Sequence, residues 1–144
     1  MSKKRPTSHA FQAMQVPNDR QAIESVETVV LSAAEQNGYA KASRFAIKLA
    51  LEEAIANAFR HGHKNLPPET PITVEYTVDP AEVHIRVQDQ GPGFNPGAIP
   101  DPTLDENLEH TSGRGVMLIR AYMTKVEFSP RGNRVEMVYK KPGA

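Results

Sequence analysis

Residues 52–62 read Glu52-Glu53-Ala54-Ile55-Ala56-Asn57-Ala58-Phe59-Arg60-His61-Gly62, EEAIANAFRHG. The apolar positions recur at helical spacing, and Gly62 supplies a stop. Within that helix Glu53 and Asn57 are four residues apart and share one face, as do Asn57 and His61. Their surroundings are apolar. Burying an amide without partners costs about 1–3 kcal/mol, and an unpaired carboxylate more, so an enclosed face of this kind needs something to satisfy it. A solvated helix edge, with Glu53 paired to Arg60 or a lysine, would account for the same residues.

Outward from this stretch, the helix extends back to about Lys41, with Phe45, Leu49, Ile55, Ala58 and Phe59 expected on its buried side. An earlier helix is capped by Asn18 or Asp19 and runs to about Asn37. It carries Ile23, Val26, Val29, Val30 and Ala33 on one side and stops at Gly38. Before it, His9 to Val16 (HAFQAMQV) alternates as a short strand ended by Pro17, and residues 1–8 form a polar tail. Downstream, HKNLPPETP is a turn-rich connection. Ile72–Val78 and Glu82–Gln88 then read as strands of a hairpin joined by Asp79-Pro80-Ala81. From Asp89 to Gly115 the chain is rich in Gly, Pro, Asp and Asn without periodicity, the pattern of a long functional connection. A third helix is expected over Gly115–Tyr122, with Val116, Leu118 and Ile119 for burial. Strands at Lys125–Ser129 and Arg134–Tyr139 flank the turn Pro130-Arg131-Gly132-Asn133. This order predicts an α+β fold: a two-layer sandwich with about three helices on one face of a mixed, mainly antiparallel sheet.

A length of 144 residues suits a single domain, taken as residues 9–144. Lys plus Arg and Asp plus Glu number 17 each, so no net charge points to nucleic acid or a membrane surface. There is no cysteine, which excludes a disulfide scaffold and thiolate metal sites. His61 and His63 flank Gly62 without a third ligand, which argues against zinc. The basic start MSKKRPTSHAF lacks the apolar core of a secretory signal, and no apolar run is long enough to span a bilayer. A soluble cytoplasmic protein is expected.

Two further constellations carry chemistry. Asp89-Gln90-Gly91-Pro92-Gly93-Phe94 stands at the exit of a strand, where glycines two apart let the backbone turn sharply and approach a ligand. An aspartate there can accept a hydrogen bond from the exocyclic amine of a base, a contact that selects adenine over guanine. An ordinary Gly/Pro turn would share the pattern. Thr111-Ser112-Gly113-Arg114-Gly115 precedes the third helix, and free N–H groups at a helix N-terminus with a glycine-rich lead-in suit an anion. A plain N-cap by Ser112 would explain the serine but not both glycines. Neither GxxxxGK[ST] nor a GxGxxG after the first strand occurs.

ExxxN on a helix, DxGxG about thirty residues later, and GxG opening a helix after a long loop together resemble the GHKL ATP-binding superfamily. Within it, VPND after the opening strand and EAxxNAxxHG look most like the bacterial anti-sigma-factor serine/threonine kinases, over about residues 10–140. The resemblance implies a GHKL-type sandwich, ATP and Mg²⁺ as cofactors, and the following site. Asn57 would bind Mg²⁺, and Glu53 would act as general base toward an attacking hydroxyl. Asp89 would bind the adenine amino group, with Gly91 and Gly93 shaping its pocket. Residues of about 95–112 would form a mobile lid, with Gly113, Arg114 and Gly115 at its phosphate-binding end. It further implies a sigma factor and an anti-sigma-factor antagonist as partners, phosphorylation of a serine on the antagonist, and a possible homodimer. The sequence departs from the family pattern in the lid, where His110 and Thr111 stand in place of a usual arginine. It departs again in the last hairpin, with Gly132-Asn133-Arg134 instead of small hydroxyl residues. Those departures define the alternative, a nucleotide-gated protein-binding regulator with little or no kinase activity. The catalytic half of a sensor histidine kinase is disfavoured because the first helix contains no histidine.

Overall fold

Asp19 starts the first helix as the spacing predicts, its carboxylate accepting a hydrogen bond from the Ala22 N–H at 3.1 Å. The computed structural model describes residues 11–63, 65–91, 111–130 and 132–143, with only the backbone considered at residue 61 and residues 111–116. In chain order these form β1 (Gln12–Val16), α1 (Arg20–Gln36), α2 (Lys41–Asn57) with a terminal π turn (Ala58–Gly62), and β2 (Ile72–Val78). There follow β3 (Glu82–Gln88), α3 (Thr111–Tyr122), β4 (Lys125–Phe128) and β5 (Arg134–Lys140). The strands make one sheet in the order β1-β2-β3-β5-β4, and all four pairings are antiparallel. The fold is α+β, with the helices on one face of that sheet.

Two-residue alternation sorts each strand between the layers. Ile72 and Val74 of β2, Val83, Ile85 and Val87 of β3, and Val135 and Met137 of β5 point into the core with Ile47, Leu51 and Ile55 of α2. On the other sheet face Glu75, Arg86 and Glu136 stand opposite one another. Glu136 accepts from His84 at 2.6 Å and from Arg86 at 3.2 Å, and the Arg86 guanidinium lies 3.8 Å over the Phe11 ring. Charged side chains on that face let it meet water.

α1 ends where Gly38 takes φ 85°, with Tyr39 N–H donating to the Ala34 carbonyl and Gly38 N–H to that of Glu35. The end of the molecule around this turn is laced together. Lys141 Nζ donates to the Asn37 carbonyl at 2.6 Å, Tyr39 Oη to that of Asp79 at 2.9 Å, and Tyr139 Oη to Ser43 Oγ at 2.7 Å.

Four expectations are corrected. Val29 is 38% exposed, whereas Glu27 is buried at 6% exposure, because the face that α1 buries runs through Val26, Glu27, Val30 and Ala34. Phe45, expected in the core, is 58% exposed; α2 faces the sheet with Ser43, Ile47, Leu51 and Ala54 instead. α3 begins at Thr111 rather than Gly115, which places Thr111 and Ser112 inside the helix and removes Ser112 as its cap; Leu118 on that helix is exposed. The expected tail and the strand start at His9 lie outside the described residues.

Candidate functional site

α2 carries Glu53 and Asn57 on neighbouring turns, and both are half-buried on a helix that packs against α3. The Asn57 Oδ1 atom is buried and, among the described residues, has no hydrogen-bond partner. No ion pair joins Glu53 to Arg60 or to a lysine among the described residues; the lysine pairing on α2 is instead Lys48–Glu52 at 3.7 Å. A solvated edge held by Glu53 salt bridges is therefore not what this face shows. α2 then widens: the His63 N–H reaches back five residues to the Ala58 carbonyl at 3.0 Å, closing a π turn.

That wide turn meets the exit of β3. Asp89 is buried at the strand end, where its N–H donates to the Asn133 carbonyl at 2.9 Å in the β4–β5 turn. Its Oδ1 accepts from the Gly91 N–H at 2.8 Å. A Cβ at Gly62 would lie 2.2 Å from the Asp89 carboxyl carbon, and one at Gly91 only 1.8 Å from the Gly62 carbonyl oxygen. Both glycines are thus required by close approach rather than by a special φ. His63, 8% exposed, completes the junction: its Nε2 accepts from the Gln90 N–H at 2.8 Å. Phe59 packs against the His63 ring edge-on, with centroids 5.5 Å apart.

The structure thus ties Asp89 and Gly91 to the end of the helix that carries Glu53 and Asn57. The backbone of Gly113, Arg114 and Gly115 lies in the first turns of α3, which packs along α2. Gly93 and residues 95–110 of the expected lid lie outside the described residues. Two groups escaped the sequence reading. Nothing in the order Gly62-His63 signals that the ring turns back to hold a strand exit. Glu27 could have been found, since helical period places it in line with Ile23, Val30 and Ala34. It faces a separate cleft of about 910 Å³ between α1 and α2, shared with Lys48, Glu52, Phe59 and Arg60. Burial and the nearby Glu52 carboxylate push its pKa from 4.5 up to about 7, against the opposing pull of Lys48.

The donor set fits a hard cation and a nucleotide. An amide oxygen, enclosed and unpartnered, suits Mg²⁺, which takes oxygen ligands and few of them from protein. The glycines at 62 and 91 let the Asp89 carboxylate sit directly against the end of α2, with no side chain between them. The family model described as Histidine kinase-like ATPase domain matches residues 16–139, and the chain belongs to that family, an ATP-binding domain of GHKL type. Among individual proteins it is similar to the Anti-sigma F factor of Geobacillus stearothermophilus and to that of Geobacillus kaustophilus (strain HTA426). Each is 30% identical over 98 residues, which span 66% of this chain and 66% of the relative's own length. No helix among the described residues is long and apolar enough to cross a membrane.

Proposed function

We propose that this chain is an ATP-dependent anti-sigma-factor serine/threonine kinase that holds a sigma factor and phosphorylates a serine on an anti-sigma-factor antagonist. The observation that carries the reading is the buried Asn57 Oδ1, without a partner among the described residues, on the Glu53 face of α2. The family membership and the similarity to two anti-sigma F factors support the choice of partner class.

In this reading Asn57 holds Mg²⁺, which when bound neutralises charge on the nucleotide phosphates. Asp89 accepts a hydrogen bond from the adenine amino group, with Gly91 and Gly93 shaping its pocket. Gly113, Arg114 and Gly115, in the first turns of α3, form the phosphate-binding end of the lid, where the free N–H groups of the first helical turn meet the phosphates. Glu53, one turn before Asn57 and about 6 Å from it along the axis, takes the proton of the incoming serine hydroxyl. The serine oxygen bonds to the γ-phosphorus as the bond to the β–γ bridging oxygen breaks, and ADP leaves. Helix α2 fixes base and cation site relative to each other, so positioning is built in before substrate arrives. Residues of about 95–112 act as a lid whose ADP and ATP states favour different partners.

The test combines γ-phosphate-labelled ATP, Mg²⁺ and a candidate antagonist with wild-type protein and Glu53→Ala. Transfer is expected in the wild type and should fall by about 10²–10⁴-fold in the variant, the usual contribution of a general base, while nucleotide affinity stays within about twofold. Unchanged transfer in Glu53→Ala removes the assigned base. Binding of ATP and partner without any transfer would favour the nucleotide-gated regulator.

A further inference from the structure

His63 does two things at once. Its Nε2 accepts a hydrogen bond from the Gln90 backbone N–H, and its Nδ1 is buried with no partner among the described residues. A backbone N–H can only donate, so Nε2 must be the unprotonated ring nitrogen and a neutral ring carries its hydrogen on Nδ1. Leaving that N–H buried and unpaired is unfavourable. A residue needed only to fill this space would be Leu or Phe, which strand no polar atom. The Gln90 N–H is part-buried, and the ring supplies its acceptor. A ring that strands its own Nδ1 is thus explained by the bond it makes to Gln90.

Gln90 is the middle residue of the Asp89–Gly91 turn, which is held from several sides. One restraint is the Asp89 N–H bond to Asn133, on the β5 side; another is the Gln90 side chain, which donates to the Pro71 carbonyl at 2.8 Å. Within the turn, the Gly91 N–H fixes Asp89 Oδ1. Toward α2 the turn abuts Gly62, whose carbonyl lies so near Gly91 that no side chain fits, and there His63 supplies the directional bond. The Nε2 bond thus joins the end of α2 to the middle of the turn that carries the Asp89 carboxylate.

We propose that His63, as its Nδ1–H tautomer, is the positioning residue that aims Asp89 at the base of the bound nucleotide and so sets discrimination for a 6-amino purine. The proposal rests on the reading of Asp89 as the adenine contact. It concerns base selectivity, not phosphoryl transfer.

Calorimetric titration with ADP and with IDP, whose base lacks the 6-amino group, tests it in the full chain. Wild type should prefer ADP. In His63→Leu the ADP affinity should fall by about tenfold toward that of IDP, with IDP binding changed less than about twofold. In His63→Gln, whose side-chain oxygen can stand where Nε2 accepts, most of the preference should return. Equal weakening of both nucleotides in His63→Leu, or an unchanged ADP-to-IDP ratio, overturns the role of His63 and leaves the Asp89 reading intact. A wild-type protein that binds ADP and IDP alike overturns the Asp89 reading itself, and this inference with it. Long-range ¹⁵N–¹H correlation on the wild type is independent of variant folding: Nε2 should resonate as an unprotonated nitrogen, and a protonated Nε2 refutes the proposal.

Discussion

Replacing Glu27 by Gln should make the protein more stable above neutral pH and leave it nearly unchanged near pH 4.5. Glu27 is buried between α1 and α2, and burial first, then Glu52, raises its pKa from 4.5 to about 7. The folded protein thus keeps a proton that the unfolded chain releases from pH 4.5 upward. Stability falls as pH rises through that window, by at most 1.36 kcal/mol per pH unit, and the loss is complete above about 7. The full shift would correspond to roughly 3 kcal/mol; the cleft admits solvent and Lys48 opposes the shift, which reduces the expected figure to about 1–2 kcal/mol. Glutamine keeps the shape and the neutral state. Urea melts of wild type and Glu27→Gln at pH 5 and pH 8 give the difference directly, free of the other groups that titrate in both proteins. The variant should gain about 1–2 kcal/mol relative to wild type at pH 8, or roughly 3–6 °C in Tm for a chain of this size, and much less at pH 5. Equal differences at the two pH values would refute the argument that Glu27 is strained by ionisation.

Other substitutions separate binding from folding. Asn57→Ala should abolish the Mg²⁺ enhancement of ATP affinity in calorimetry, yet leave the apo protein as stable as wild type or up to about 1 kcal/mol more so, since a buried unpaired oxygen is removed and Ala favours the helix. A loss of more than 1 kcal/mol would show that the amide has a structural partner. Gly91→Ala places a Cβ against the Gly62 backbone, so nucleotide binding should be lost and stability should drop by about 2 kcal/mol or more, read by thermal melting. Gly38→Ala, at φ 85° on the far side of the molecule, should lower stability by about 1 kcal/mol while ADP affinity is unchanged in the same titration.

The helices and strands were legible because their signals are local. Asp19 as a cap, Gly38 as a stop and two-residue alternation in 72–78 and 82–88 each act over a few residues, and the structure follows them. Phe45 and Val29 were misplaced because burial depends on how helices pack against one another, which a helical wheel drawn for one helix does not contain. The start of α3 was misread because glycines at 113 and 115 suggest a break, while the helix runs through them from Thr111. Asn57 and Asp89 could be singled out by residue type in an unsuitable setting. His63 could not, because its partner lies 27 positions away and is a backbone group with no side-chain signature.

The tying of the α1–α2 connection to Asp79, Tyr139 and Lys141 gives the molecule a spine at one end. With 17 residues, α2 runs about 25 Å from that end to Asn57. A tilt of about five degrees pivoting on the bound end therefore carries Asn57 through roughly 2 Å, while Ser43 hardly moves. Such a tilt would have to carry the Asp89–Gly91 turn along with Asn57, because Gly62 is packed too closely on that turn for the two to slide past each other.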